Sequence, residues 1–527
     1  MTKRTGAGLL AAGLVCIGLL PARAEVDAAS SDRSPLRQLS LAVHVHSSMS
    51  TGDLPPEPLM RRAADAGLDG VILTDNYELG VEYGLWPLRG LLRYRAGIPS
   101  VREEGLADFF DAVRRAQARD PERLIIPGLE VTPHYYWTGS LWRNTLALHD
   151  TQKNLLVVGL DEAGMMRALT PPPTRSMAGR MLPWWPVALL APAGWLWRRE
   201  RVVAARTKFF QLSRRRRYRG EAIAVLALGG LLLADNLLLA GGPDRYRPDP
   251  DHAAVQGLIE RAAAAGAVTI WSLPEAADFH RYQLDAIGRE LAERGGAAGL
   301  FGRPLSRLPW SITVQTDPYP DALARTAGYT AFGAIYQDHV RITEPGGGWD
   351  RLLLAYLDGW RSAPAWGVGE LAYHQAGLGG KRLGDVQTVV LARERSAPAV
   401  LASLRAGAFY ARQRVPEWGL VLDDFSLTLA GIDVDQPAIS GDTLTVAPGA
   451  PIAVRVAVSA TDARAETVTV KVVRAGRVWR EFSAVTPFER QWEDDAPQSG
   501  RLYYRIEIGE GDQHLLSNPI FVSVREH

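Results

Sequence analysis

The sequence predicts an α/β protein: a β/α barrel or parallel sheet, interrupted by a membrane hairpin and followed by an antiparallel β-sandwich. Three observations carry this. Short β-branched runs alternate with helical stretches over 39–165 and again over 251–430, the rhythm of β/α units. Between them, 181–241 sets two apolar segments around a basic one. After 431 the period becomes two: Val454, Val456 and Val458, then Tyr504, Ile506 and Ile508, alternate with polar or small residues. Segment 431–527 therefore reads as an Ig-like sandwich lacking the antibody-type disulfide.

Composition sets outer limits. A chain of 527 residues is long enough for several domains. Lys and Arg total 59 against 58 acidic residues, so no global field attracts nucleic acid or an acidic partner. With 47% hydrophobic and 22% charged residues, the chain is globular rather than disordered or a many-span transporter. One cysteine excludes a disulfide scaffold and a cysteine-ligated zinc site. Any metal must sit on histidines and carboxylates.

The elements follow in order. Lys3 and Arg4 precede an apolar run, Ala7 to Leu20, and Ala22-Arg23-Ala24 offers a cleavage site, so 1–24 reads as a secretory signal peptide. Cys16 lies inside it, which suits an oxidising compartment for the rest. Met181 to Trp197 is rich in tryptophan and interrupted by Pro183, Pro186 and Pro192. Ala222 to Gly241 is long enough to span a bilayer, with one costly pair, Asp235-Asn236. The connection 198–219 is dense in arginine, Arg214 to Arg217 included, against a lone Glu200. So short a basic loop belongs on the cytoplasmic side, with both flanks opposite, where a signal peptide would send them. The expectation is an inner-membrane protein touching lipid through the hairpin, its soluble domains in the periplasm, with no nucleic-acid partner. A buried helical hairpin or a peripheral amphipathic patch are the alternatives.

Strand Leu39 to His46 puts Leu39, Leu41, Val43 and Val45 on one face and His44 and His46 on the other, about 7 Å apart along the strand. Two imidazoles so placed can converge on one ion. The next strand ends Thr74-Asp75-Asn76, and Ile125 to Val131 carries Glu130 near its end. Polar side chains at the C-terminal ends of successive strands are where a barrel builds its site. No Gly-x-Ser-x-Gly elbow is present, and Gly346 to Gly348 lacks the Lys-Ser/Thr of a phosphate loop. Trp479 and Trp492 read as sandwich core.

The ordered series His44-Val45-His46-Ser47, Gly67-Leu68-Asp69-Gly70, Thr74-Asp75, Pro127-Gly128-Leu129-Glu130, Trp271-Ser272-Leu273-Pro274-Glu275-Ala276 and Gly369-Glu370-Leu371-Ala372-Tyr373-His374 resembles the PHP (polymerase and histidinol phosphatase) superfamily. The resemblance covers about 39–160 and 251–430, and within the group is nearest to secreted metallohydrolases such as the carbaryl-hydrolase-like branch. It implies a distorted (β/α)7 barrel, two or three divalent ions, and phosphoesterase or related hydrolase activity.

Carried over residue by residue, His44, His46, Glu130 and His374 match expected ligands and Asp75 matches the acidic position. Asn76 and Asn154 stand where histidines are expected, with His149 a possible substitute; Leu273 and Ala372 replace a histidine and an aspartate. Leucine and alanine donate no lone pair, and an amide is a poor ligand for zinc-like ions. The expectation is therefore one ion (Zn, Mn or Fe) on His44, His46, Glu130 and His374, with His149 as a further candidate. Asp75 and Glu370 are the expected catalytic helpers. His134 and His280 are weaker candidates. The function expected is a membrane-tethered extracytoplasmic hydrolase acting on a small-molecule ester or phosphoester. The alternative is a catalytically inactive PHP-fold binding or scaffold protein.

Overall fold

The computed structural model describes residues 36–98, 100–170, 182–206, 211–239, 245–283, 297–300, 311–337, 340–432, 436–511 and 513–525. The expected signal peptide lies outside them.

Seven strands form a ring: β1 (Arg37–Val45), β2 (Gly70–Asn76), β3 (Leu124–Val131), β4 (Leu155–Val158), β5 (Val268–Trp271), β6 (Ala331–Ile335) and β7 (Trp366–Gly369). Neighbours run parallel except β4, which is antiparallel to both β3 and β5. The ring closes where the chain leaving β7 meets β1. Leu371 N–H donates to Val43 O at 3.0 Å, Tyr373 N–H to His44 O at 2.9 Å, and His46 N–H to Tyr373 O at 2.8 Å. These strands are buried on both faces, which is why they read as near-continuous apolar runs.

Helices return the chain between strands with an apolar stripe inward. Pro56–Asp65 buries Leu59, Met60 and Ala63, and begins at Pro56, whose fixed φ suits the first helical position. Leu106–Arg119 buries Phe109, Phe110 and Val113. Ala397–Ala406 starts at the Ser396 cap and stops at Gly407, where φ is +80°.

The first half of β1 leaves the ring to pair with Val386–Ala392, which pairs with Phe409–Gln413 and so with Gln513–Ser517 of the sandwich. Barrel and sandwich thus share one continuous sheet. Strand Leu420–Leu429, expected in the barrel half, pairs with Pro451–Ala460 and belongs to the sandwich. A buried ion pair joins the two parts: Arg505 donates to both oxygens of Asp350, at 2.7 and 2.8 Å, on the barrel helix Gly348–Leu357. Trp479 and Trp492 pack against the sandwich core.

The insertion departs from the expected pair of spanning helices. Only one helix among the described residues, Arg219–Leu237, is long and apolar enough to cross a membrane. The other arm is a 3-10 segment, Leu182–Leu189, followed by the helix Leu190–Arg198. Proline lacks the N–H that a continuous α-helix needs, and Pro186 sits inside the 3-10 segment. The expected basic loop is a strand pair, Glu200–Arg206 with Gln211–Arg217.

Candidate metal centre

The C-terminal ends of β1, β2, β3, β5 and β7, with the start of the reversed β4, bring polar side chains to one end of the ring. His44 interrupts the β1–β2 register as a bulge with φ +67°. His44, His46, Asp75, Glu130, Asn154, Ser272 and Glu370 are all buried.

His44, His46 and Glu130 converge, one ligand atom from each within 4.8 Å of the others. His44 Nε2 lies 3.3 Å from Glu130 Oε1, and His46 Nε2 lies 3.6 Å from Glu130 Oε2. Two ligand atoms on one tetrahedral ion, each about 2.1 Å away, stand about 3.4 Å apart, so the spacing fits. His44 Nε2 and both nitrogens of His46 are buried without a hydrogen-bond partner. Buried polar atoms are rarely left so. Two imidazoles and a carboxylate are also a donor set suited to a divalent transition metal.

The supporting residues orient this set. Glu370 Oε2 accepts from His44 Nδ1 at 2.9 Å and from the Ser272 hydroxyl at 2.9 Å, while Oε1 accepts from Leu273 N–H at 2.6 Å. With Nδ1–H held by Glu370, His44 would present its Nε2 lone pair to an ion beside Glu130 once that ion takes the place of the Nε2 proton, the carboxylate–histidine arrangement of metal sites. Gly333 makes the room: a Cβ there would fall 1.8 Å from Glu370 Oε1. Asp75 accepts from Ser47 N–H, the Ser47 hydroxyl and the Ser50 hydroxyl at 2.8, 2.6 and 2.6 Å, and so holds the turn that follows His46. Both expected catalytic carboxylates thus accept hydrogen bonds on both oxygens.

Asn76 and Asn154 turn amide hydrogens, not lone pairs, toward Glu130. Asn154 Nδ2 donates to Oε1 at 2.5 Å and Asn76 Nδ2 donates to Oε2. Threonines fix both amides: Thr51 donates to Asn76 Oδ1 at 3.1 Å and Thr132 to Asn154 Oδ1 at 2.6 Å. Thr51 has one proton, so its oxygen is left to accept from His374 Nδ1, 2.7 Å away. His374 stacks on His46 with ring centroids 4.2 Å apart and lies beside the three converging ligands. His149 is elsewhere, bonded to Thr138 at 2.7 Å and stacked on Tyr136. His134 bonds Arg247 O, and His280 pairs with Asp278 at the surface.

Burial alone would lower the His44 pKa, but Glu130 and Glu370 outweigh it and carry it up to about 9. Burial, with His374, His44 and Lys381 nearby, holds His46 well below its ordinary value, in the neutral form a metal ligand needs. Burial would raise Glu130; His44, His374 and Asn154 outweigh it and keep it below the usual carboxylate range. Burial raises Asp75 against the pull of its serine donors.

Ser272, Thr51 and Thr132 were not picked out by the sequence reading, although Ser272 follows strand β5 at the place where a barrel positions site residues.

No family model matches the chain, and none of the curated proteins matches it. Similar solved structures include PHP-like and other metal-dependent phosphoesterases. One, from Bacteroides vulgatus, is a two-domain protein containing a predicted PHP-like metal-dependent phosphoesterase; it is 12% identical, with a TM-score of 0.34, over 93% of this chain and 96% of that one. An amidohydrolase from Chromobacterium violaceum, with bound sulfate and no metal, is 15% identical with a TM-score of 0.25, over 65% and 89%. A protein from Bifidobacterium adolescentis provisionally assigned as a metal-dependent phosphoesterase is 13% identical with a TM-score of 0.18, over 45% and 67%. Likenesses this distant carry no argument about chemistry, which rests on the geometry above.

Proposed function

We propose that this chain is a membrane-tethered, extracytoplasmic metal-dependent hydrolase of the phosphoesterase type, with one divalent ion (Zn, Mn or Fe) on His44, His46 and Glu130 and with His374 beside them. The observation that carries the metal is the set of three buried, unpartnered imidazole nitrogens packed against a carboxylate. An ion there would polarise a phosphoryl oxygen and acidify a water ligand. The chain's own part is positional. Glu370 holds the Nδ1 side of His44, Asn76 and Asn154 hold Glu130, and Thr51 holds the Nδ1 side of His374. Both amides turn donors to Glu130, so neither offers an ion a lone pair there. The placement near carbaryl-hydrolase-like proteins belongs to the same proposal and rests on the motifs quoted above.

Membrane attachment is supported by the helical pair. Trp184, Leu190, Trp195, Ile223, Leu226 and Leu231 are all exposed on its two arms, and large apolar exposure is uncommon on soluble monomers. The α-helical part of the longer arm before Asp235, Arg219–Ala234, is about 24 Å long, enough to reach most of the way across the hydrocarbon. At the end joined by the arginine-rich strands, Arg199 lies over Trp195 and Arg219 over Trp197, a pairing suited to a membrane interface. In this reading the strands face the cytoplasm, and barrel and sandwich lie in the periplasm against the inner membrane.

Metal analysis of the full chain in detergent tests the site. A single equivalent of Zn, Mn or Fe, lost with phosphodiester hydrolysis in His44→Ala/His46→Ala, is expected. Folded protein with no metal and no hydrolysis would leave the inactive scaffold instead. For topology, Arg215→Cys should react with an impermeant maleimide only once the cytoplasmic side is opened.

A further inference from the structure

The helical pair and the candidate metal centre are rooted on the same end of the barrel. β2 and β3 present Asn76 and Glu130 at their C-terminal ends, and the chain leaving those ends builds a crown of short strands. One pair is Gly80–Gly84 with Arg93–Gly97, and another is Tyr136–Thr138 with Leu146–His149. Strand Ser311–Thr316 joins the second pair and carries Asp278–Gln283 at its edge.

The insertion docks on this crown. Asp235, the residue that looked costly in a spanning segment, is buried and accepts from the N–H groups of Gly90 and Leu91, at 3.0 and 2.5 Å, in the turn of the first pair. Trp137 N–H donates to Arg245 O at 2.8 Å, and Gly84 N–H donates to the Tyr246 hydroxyl at 2.6 Å. Trp185 of the shorter arm stacks on Trp86 of the crown, centroids 6.4 Å apart.

Three large aromatic residues stand outward on the crown: Trp86 at 72%, Trp142 at 74% and Phe279 at 68% exposure. The exposed arginines Arg143 and Arg281 lie within two residues of Trp142 and Phe279. Aromatic rings beside arginines are the side chains that settle at an anionic lipid surface. If the pair enters a bilayer, its root brings the crown down onto the headgroups.

We propose that the substrate of the metal centre is a phosphodiester carried on a membrane lipid, taken from the bilayer surface through the crown. This rests on both parts of the proposed function. The reaction is hydrolysis: the oxygen of water forms a P–O bond, and the ester P–O bond breaks. One proton of water goes to the leaving alkoxide, and the other stays with the phosphomonoester product.

The test uses the full chain, metal-supplemented and reconstituted into vesicles of phosphatidylcholine and phosphatidylglycerol. Lipid phosphodiester cleavage is followed by phosphorus NMR, and bis(p-nitrophenyl) phosphate is the soluble comparison. Trp86→Ser/Trp142→Ser/Phe279→Ser should lower lipid turnover at least tenfold while leaving the soluble rate unchanged. Independently of activity, an environment-sensitive fluorophore on Trp142→Cys should shift to the blue on reconstitution. The same label on Trp360→Cys should not, because Trp360 is 86% exposed just past Gly348–Leu357, at the opposite end of the barrel. Soluble ester hydrolysis without lipid cleavage, or an unshifted Trp142 label in vesicle-bound protein, overturns the inference and leaves the hydrolase standing. Loss of both activities in metal-loaded protein overturns the hydrolase, and the inference with it.

Discussion

Glu370→Gln isolates what a single buried oxygen does for the metal centre. In the native site Glu370 accepts three hydrogen bonds, from His44 Nδ1, the Ser272 hydroxyl and Leu273 N–H. Glutamine keeps the shape but has one accepting and one donating end. If its oxygen stays with Leu273 N–H, its NH2 faces the two donors, His44 Nδ1–H and Ser272 O–H. Both lose their acceptor. Ser272 can rotate its proton away, which leaves its oxygen, 3.0 Å from His44 Nδ1, as the one remaining acceptor for the ring; if the glutamine NH2 takes that oxygen instead, the His44 proton moves to Nε2, the nitrogen that faces Glu130. The variant therefore withdraws the carboxylate that fixes the lone pair an ion would use. Loss of such an orienting partner costs about 10–100-fold in metal affinity, or roughly 1.4–2.7 kcal/mol. In metal-free protein, up to two buried groups left unsatisfied at about 1–3 kcal/mol each would lower stability by up to about 6 kcal/mol. Chelator competition measures the first quantity, urea unfolding the second, and nitrogen-15 NMR of the histidine rings reports the tautomer directly. Metal affinity within twofold of wild type, with His44 still protonated on Nδ1, would refute the orienting role.

Three further outcomes follow from the packing. Gly333→Ala puts a methyl group against Glu370 and should destabilise by about 3 kcal/mol, read by urea unfolding; a stable variant with intact metal binding would contradict the close approach. Asp350→Ala strands the buried Arg505 guanidinium and should cost about 3–5 kcal/mol, with barrel and sandwich still unfolding in one calorimetric transition because they share a sheet. Two separate transitions in the native protein would argue against that shared core. Asn154→Ala frees Glu130 Oε1 and should weaken metal binding about tenfold or more by isothermal titration, whereas an unchanged affinity would make the amide a bystander.

Most of the barrel was legible because a strand buried on both faces has to be apolar along its length, and the runs ending at Asn76 and Val131 are. His44 and His46 were legible as a pair because alternation puts i and i+2 on one side. Other features depend on contacts that no local pattern carries. Glu370 meets His44 across 326 residues of chain, and only their geometry shows the carboxylate orienting a ring. Asn76 and Asn154 are poor ligands on composition alone. Their role as donors to Glu130 is decided by Thr51 and Thr132, which take the opposite ends of the amides. Leu420–Leu429 reads as a strand, but nothing within it tells that its partner is Pro451–Ala460 rather than the barrel. In the insertion, apolar composition was the visible signal, and the prolines that divide the first arm counted for more.

Three non-glycine residues around the site hold the left-handed backbone: His44 at φ +67°, Leu273 at +45° and Ala372 at +47°. Each conformation costs about 1–3 kcal/mol, and such residues gather where the surrounding structure over-determines them. At 273 and 372 the side chain brings no ligand atom, so a ligand cannot be what the strain maintains. The backbone supplies the reason. The turn at Leu273 aims its N–H at Glu370 Oε1. Ala372 lies between Leu371 and Tyr373, whose N–H groups close the ring onto β1 on either side of it. The bulge at His44 lets β1 keep its pairing with β2 while His44 and His46 both reach Glu130. Strain at all three places is spent on one outcome, a Glu370–His44–Glu130 line held rigid at the mouth of the barrel. A site whose strained backbone at 273 and 372 carries no ligand atom is built to orient the few donors it has.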